Sequence, residues 1–447
     1  VNKKELIELV CWVVFAILVV FGLVFLYLYN NSPMTIYKPK PYTPKGRVVL
    51  QKELTFEEIE EDRDKIIEIV ENTHPIFLNE EVENYKKAKE NFLKETTDSM
   101  NVQEFQIYIS KYLSSIEDGH TIVYWNEENF LDINWRYLNG GLFLTNSDYS
   151  VSNYKVIRIN EIPVENIINL IEELFPSENY VAKDVNNSKY SRYEQILTLA
   201  GIDCSNELIV TVSNGDKEEK FSANLIKWEK NKYVDLGIWS KQLSEDILFI
   251  RLGSCTLGKE LDKVIEDTKK AVDNSIDNVI IDVRGNPGGN SEASTKLLES
   301  LNMVPGNFGA TIRFSSLASE RYGFLRKSGS ISYEPTNKVV KNEDINLYVL
   351  CDENTFSSAQ WLVTCVKDGN LGTIVGQGSR NMPSSFGDVL VFQLKNSNLE
   401  GQVSFKQFLR PNKDKNNERV LEPDVKIDYC EDALTKSLKI IDEKKNH

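Results

Sequence analysis

Histidine is scarce in this chain, three residues in 447, and the commonest metal and nucleotide signatures are missing. There is no HExxH, no paired CxxC and no GxxxxGKS/T, so zinc-peptidase and P-loop chemistries lack their ligands. No GxSxG elbow occurs, which argues against the usual α/β-hydrolase. Basic residues are outnumbered, 52 against 67 acids, for a formal charge of −15. Phosphate binding needs a basic field, so nucleic acid is not an expected partner. Of six cysteines, Cys11 lies in an apolar run and the other five show no close pairing, so no disulfide framework is implied. Cys255, after the apolar run Leu248 to Leu252, reads as a buried, inert thiol rather than a nucleophile. No repeat or low-complexity tract interrupts the chain, and no cofactor or metal is expected.

What is present begins with a long apolar run. Val10 to Tyr29 carries no charge and is long enough to cross ~30 Å of hydrocarbon as a helix, with Trp12, Tyr27 and Tyr29 suited to the interfaces. A cleaved signal peptide is the alternative, but its core would be shorter and end at small residues, unlike Asn30 to Pro33. Residues 1–31 are therefore read as an uncleaved single-pass membrane anchor. Lys3 and Lys4 precede the span, whereas Lys38, Lys40, Lys45 and Arg47 follow it, which by literal count favours a cytoplasmic domain; large domains translocate largely regardless of charge. Residues 32–49, with Pro33, Pro39, Pro41 and Pro44, read as a semi-rigid linker that lifts the rest from the bilayer. The remaining ~400 residues exceed one ordinary core, so two or three subdomains are expected.

Two loop motifs carry the chemistry. In LYVLCDENTFSSAQWL, Leu347 to Leu350 form an apolar run too short for a helix, and Asp352 to Asn354 supply turn chemistry. From Ser357 the apolar spacing becomes helical, with Ala359, Leu362, Val363 and Val366 on one face and Gly369 placed as a cap. Ser357 thus opens a helix, where unpaired amides and the macrodipole favour a developing negative charge. In NVIIDVRGNPGGN, Val279 to Val283 read as a buried strand, and Gly285, Gly288 and Gly289 let backbone approach another group closely. A serine nucleophile needs a base and oxyanion donors, and the amides of Ser358 and the glycine loop are natural donors. Taken singly, such motifs are more often a helix cap and a turn. Their pairing on successive strand–loop–helix units favours acyl-transfer chemistry.

IDVRGNPGG and TFSSAQ resemble the two motifs of the tail-specific, or C-terminal-processing, serine protease family, which includes tricorn. The resemblance implies a serine-type peptidase, a hydrolase of peptide or protein substrates, with a crotonase/Clp-protease-like α/β core. Matched residue by residue, it places the nucleophile at Ser357 and the oxyanion donors at Gly289 and Ser358, with Gly288 and Asp118 as secondary candidates; Ser358 competes with Ser357 as nucleophile. One branch of the family pairs the serine with a lysine. The matching position here is Met382, beyond Ile374-Val375-Gly376-Gln377, so that dyad is not expected.

The tricorn-like branch uses an upstream histidine. His447 is the last residue, expected to be disordered. His74 ends a helix opened by a capping box at Thr55 and Glu58, with the stripe Ile59, Ile66, Ile69 and Val70, and reads as a packing or dipole residue. His120 lies in IEDGHTIVYW, similar to the branch's histidine motif, and is the expected general base. Gly119 replaces the serine that precedes the histidine in tricorn, leaving Asp118, Asp388 and Glu422 as candidates to orient the imidazole. Gln360 replaces the family's usual glutamate. These departures, with Met382, motivate one alternative, a catalytically weak or inactive peptide-binding membrane protein of the same fold; hydrolysis or transfer of a non-peptide acyl group fits the same oxyanion geometry.

The expected organisation is a helical N-terminal subdomain at 50–115, a mixed subdomain at 116–240 holding the DGHT motif, and an α/β catalytic core at 241–447. KVIRINEIPVENI resembles part of a PDZ module, so the mixed subdomain is expected to contain a degenerate PDZ-like segment or an ordinary strand–turn–helix. Strand and helix alternate from Leu248, implying parallel strands with catalytic loops at their C-terminal ends. Oligomeric state is not legible.

Overall fold

The computed structural model describes residues 2–78, 83–148, 150–227 and 235–446. His447 lies outside the described residues. The glycine-loop and serine-loop motifs sit on a six-stranded sheet ordered Ile238–Ser244, Ile247–Leu252, Asn278–Asp282, Asn346–Cys351, Thr373–Gly376 and Val425–Lys426. The first pair is antiparallel and the rest are parallel. The continuous runs Ile247–Leu252 and Asn278–Asp282 are buried on both faces, as parallel strands under helices must be. Helices Lys259–Asp273, Ser291–Ser300 and Ser358–Asp368 pack a core of Val279, Ile281, Val349, Leu297 and Leu362 on one face. Helix Ala433–Lys445 covers the other through Ala433 and Ile441.

In the register of this sheet Asp282 faces Leu350, so the glycine loop and the serine loop leave the same edge. That edge is the carboxyl end of the parallel strands, where helix N-termini converge. The two loops are knitted there: Phe356 N donates to Asn286 O at 2.9 Å, Gly285 N to Asp352 Oδ1 at 2.9 Å and Thr355 Oγ1 to Val283 O at 3.0 Å.

A second sheet bridges the upstream and downstream parts of the chain. It runs Ser330–Tyr333, Gly309–Arg313, Glu400–Leu409 and Ser385–Gln393, and Ile122–Val123 pairs antiparallel with Gly401 and Gln402 of its long strand. Helices Phe56–Thr73 and Val102–Ser114 share one hydrophobic cluster with that sheet. Between them, Glu83–Glu95 completes a helical N-terminal part. The region after Val123 forms a further antiparallel sheet, Glu218–Ala223, Leu208–Ser213, Val151–Ile159, Gly141–Thr145 and Trp135–Leu138, packed on helix Val164–Leu174. The segment KVIRINEIPVENI is a strand, a turn with Asn160 at φ 49°, and the start of that helix.

The apolar run lies within a 29-residue helix, Lys3–Asn31, none of whose side chains is buried. The segment after it, expected as a semi-rigid linker, is bonded to the rest of the chain. Tyr42 donates to Glu400 at 2.6 Å, Lys45 N to Gln393 at 2.7 Å and Lys40 N to Arg321 O at 2.7 Å, so residues 40–46 are strapped onto the second sheet. Proline-rich chain has few amides of its own to satisfy, and edge side chains capture those that remain.

Candidate active site

Ser357 is the residue before helix Ser358–Asp368 and holds φ 54°, ψ −122°, a conformation L-residues avoid. The surrounding bonds force it. Asn381 Oδ1 accepts Ser357 N at 2.8 Å, the amide of Phe356 is held by Asn286, and Ala359 N and Trp361 N bond back to Phe356 O and Ser357 O. The sharp turn thrusts the side chain into a cavity of about 60 Å³ shared with His120.

Gly288 and Gly289 have different tasks. Gly288 sits at φ +100°, and a Cβ there would lie 2.6 Å from Ser357 Cβ and 2.9 Å from Ser358 N. Only glycine permits that approach. The Gly288 amide itself is committed to Asn286 Oδ1 at 2.8 Å, so it is unavailable as an oxyanion donor. Gly289 forms a parallel bridge with Cys255 through Gly288 O and Asn290 N. Gly289 turns its carbonyl the other way, to accept Ser358 Oγ at 2.7 Å, and its amide takes no part in that bridge. Ser358 N, at the first helical position, has no intrahelical acceptor. The competing serine hydroxyl is thus engaged, and two amides are left beside Ser357. Cys255 is buried with its thiol pushed up to about 11 by desolvation, an inert packing residue.

His120 enters from Gly119 on one side and the Ile122–Val123 pairing on the other, with its carbonyl accepting Gln402 Nε2 at 2.9 Å. Its ring is 7 % exposed and tilts onto Phe356 at 4.5 Å between centroids. Nδ1 lies 3.5 Å from Asp118 Oδ1 and 3.9 Å from Glu178 Oε1. A Cβ on Gly387, which lines the Ser357 cavity, would lie 3.8 Å from Nε2. Neither ring nitrogen has a hydrogen-bond partner among the described residues, so His120 and Ser357 line one cavity without yet being bonded. Burial pulls the imidazole pKa down, but attraction to Asp118 and then Glu178 outweighs it and leaves the value raised.

Asp118 is the hub of this cluster. It accepts His120 N at 3.0 Å, Thr121 Oγ1 at 2.6 Å, Ser404 Oγ at 2.6 Å and His74 Nε2 at 3.1 Å. Although burial works against its charge, the neighbouring imidazoles of His120 and His74 hold the carboxyl well below the usual range. His74 is wholly buried on Phe386, and its Nδ1 accepts Ile76 N at 3.2 Å, so the proton sits on Nε2 facing Asp118. The sequence reading of His74 as a packing residue omitted this second task. Asp388 and Glu422 lie elsewhere, Asp388 paired with Lys406 and Glu422 bonded to Tyr180 at 3.1 Å.

Glu178 and Asn381 were not singled out from sequence. Glu178 follows helix Val164–Leu174, accepts Gly119 N at 3.1 Å, and receives Asn381 Nδ2 and Met382 N at 2.8 Å each. Asn381 in turn holds Ser357 N. One buried carboxylate therefore ties the histidine loop to the segment that bends the serine. Only SENY in the sequence hinted at it, and a polar residue after a helix is an ordinary sight. Met382 lines the cavity where the resemblance would put a lysine, and no lysine lines it. Phe308, Trp361, Phe386 and Phe408 give its remaining wall an apolar character.

Asp118, His120 and Glu178 could also gather around a cation, since their ligand atoms lie within 4.8 Å of one another. The carboxylates of Asp118 and Glu178 are engaged by backbone and side-chain donors, with the His120 ring lying between them.

Residues 246–427 match the model of Peptidase family S41. That stretch holds both motif loops, and the family it matches is one of serine peptidases, which are hydrolases. Among solved structures, mature CPAF is similar over 83 % of this chain and 93 % of its own, at 12 % identity and TM-score 0.57. Mature CPAF complexed with lactacystin is similar over 86 % of this chain and 98 % of its own, at 12 % identity and TM-score 0.57. These likenesses concern the fold. A comparison with curated proteins finds no match.

Proposed function

We propose that this chain is a membrane-anchored serine endopeptidase acting through an acyl-enzyme, with Ser357 as nucleophile and His120 as general base. With Nδ1 facing the Asp118 carboxylate, Nε2 is the lone pair left for the serine proton. A small closure of the cavity brings the two together when substrate enters. Ser357 attacks the peptide carbonyl, the amides of Gly289 and Ser358 receive the oxyanion, and His120 returns the proton to the leaving amine. Water then repeats the sequence on the acyl-enzyme. Helix Lys3–Asn31 anchors the protein, with the catalytic part outside the cytoplasm.

The observation that carries this reading is the strained φ of Ser357, 54°, at a helix start against Gly288 and in one cavity with a buried histidine. Strain of this kind persists where the surroundings over-determine it, and it clusters at reacting groups. A fluorophosphonate probe tests it. Labelling is expected on wild type and on Ser358→Ala, and lost in Ser357→Ala; a persistent label in Ser357→Ala would refute the nucleophile. His120→Ala is expected to lower peptide turnover by ~10²-fold or more. Unchanged turnover would remove it as the base.

A further inference from the structure

Behind Phe356 lies a larger cavity, of about 400 Å³, that the proposed mechanism does not use. Its walls include Gly119 and Phe356, the residues immediately before His120 and Ser357, and it carries two cations, Arg380 and Lys189. The Arg380 guanidinium rests over the Phe356 ring at 4.4 Å. Among the described residues it has no ion pair, and its Nε is buried without a partner. Lys189 is solvent-accessible and reaches over the rings of Tyr190 and Tyr193 at 4.7 and 5.7 Å, also without an acid partner among the described residues. The two cations repel each other, and burial works against the charge on Arg380. Glu178, the carboxylate on the cavity wall, is already engaged by three donors. Glu178, Asp352 and Glu353 attract the guanidinium without pairing with it, so in a chain of net charge −15 this cavity still holds two cations with no carboxylate bonded to either among the described residues.

We propose that this cavity is a specificity subsite that receives the carboxylate side chain of an aspartate or glutamate in the peptide substrate. Arg380 supplies a planar fork for the carboxylate, Lys189 a second charge at the mouth, and Tyr190 and Tyr193 the surface for the methylenes. Because its walls adjoin both reacting residues in sequence, the bound acid lies within a few residues of the scissile bond. This inference rests on the active-site reading above only for the direction of the peptide across Ser357.

Binding is measured by fluorescence anisotropy on full-length Ser357→Ala protein, so that turnover does not intervene. The probes are fluorescein-labelled alanine–leucine peptides with one glutamate walked along the sequence, each paired with its glutamine counterpart and each made with free and amidated C-termini. One glutamate position is expected to bind about tenfold tighter than glutamine at low salt. That advantage is lost with Arg380→Met added, reduced with Lys189→Met added, and weakened by salt. Equal binding of the members at every position overturns the proposal. So does a preference that survives both added substitutions, or one that follows the free C-terminus and not the side chain. Should Arg380→Met fail to fold by circular dichroism, Lys189→Met and the salt dependence decide. Fluorophosphonate labelling of wild type is independent of all these results, so loss of the subsite leaves the nucleophile assignment standing.

Discussion

At Ser357 two requirements conflict. Presenting the hydroxyl demands φ 54°, ψ −122°, which costs on the order of 1–3 kcal/mol for a residue with a side chain. Ser357→Gly is therefore expected to raise unfolding stability by about 1 kcal/mol, strain relief exceeding glycine's entropy, while abolishing probe labelling. Chemical denaturation and labelling check the two halves separately. Gly288→Ala acts oppositely: its Cβ would meet Ser357 Cβ at 2.6 Å, and turnover is expected to fall by ~10²-fold or more with the fold retained by circular dichroism. As the proposed base, His120 is expected to set the pH dependence. Its value is raised above the ordinary 6.5 because Asp118 and Glu178 favour the imidazolium, and the base must be neutral. The acid limb of kcat/KM is thus expected above pH 6.5, with activity lost as pH falls through it. Glu178→Gln should move that limb to lower pH; an unmoved limb would show that Glu178 does not act on the imidazole. The same raised value stabilises the fold at low pH and contributes less as pH rises through it.

At the scale of elements, the site depends on joints between them. Arg410, wholly buried, leaves the long strand Glu400–Leu409 and donates to both oxygens of Asp368, the last residue of the serine helix, with Glu418 alongside. This pair fastens the sheet that carries Ile122–Val123 to the helix that carries Ser357. Asp368→Ala would leave the guanidinium buried beside only a half-exposed Glu418, and a loss of about 3–5 kcal/mol is expected in denaturant unfolding. The elements themselves were largely legible. Alternation from Leu248, the helical spacing after Ser357 and the capping box at Thr55 and Glu58 correspond to strands and helices at those places. The antiparallel edge strand Ile238–Ser244 was not read, because its exposed polar face gives no buried run. The bonds made by the proline-rich stretch were not legible, because its partners, Glu400, Gln393 and Arg321, lie far along the chain.

At the scale of the whole molecule, helix Lys3–Asn31 is about 44 Å long with no buried side chain, which water does not tolerate for so apolar a surface. The expected outcome is a protein that stays with membranes through high-salt and alkaline extraction and is released only by detergent. Recovery of a shortened soluble protein, lacking the helix in mass spectrometry, would instead establish a cleaved signal segment.

By itself the sequence determined the chemistry on offer: a serine at a helix start, a glycine-rich loop after a buried strand, and a histidine in DGHT, each set by local spacing and turn chemistry. The parallel register then brings the first two to one edge, as alternating strands and helices require. Tertiary structure alone decided how His120 reaches that edge, because the two-residue pairing of Ile122 and Val123 with Gly401 and Gln402 closes a loop of nearly three hundred residues. It also decided that Glu178, Asn381 and His74 are bonded into the network around Ser357 and His120, and that Arg380 faces a cavity with no ion pair among the described residues. A buried carboxylate or an unpaired guanidinium acquires meaning only from what surrounds it, and no local pattern of residues encodes those surroundings.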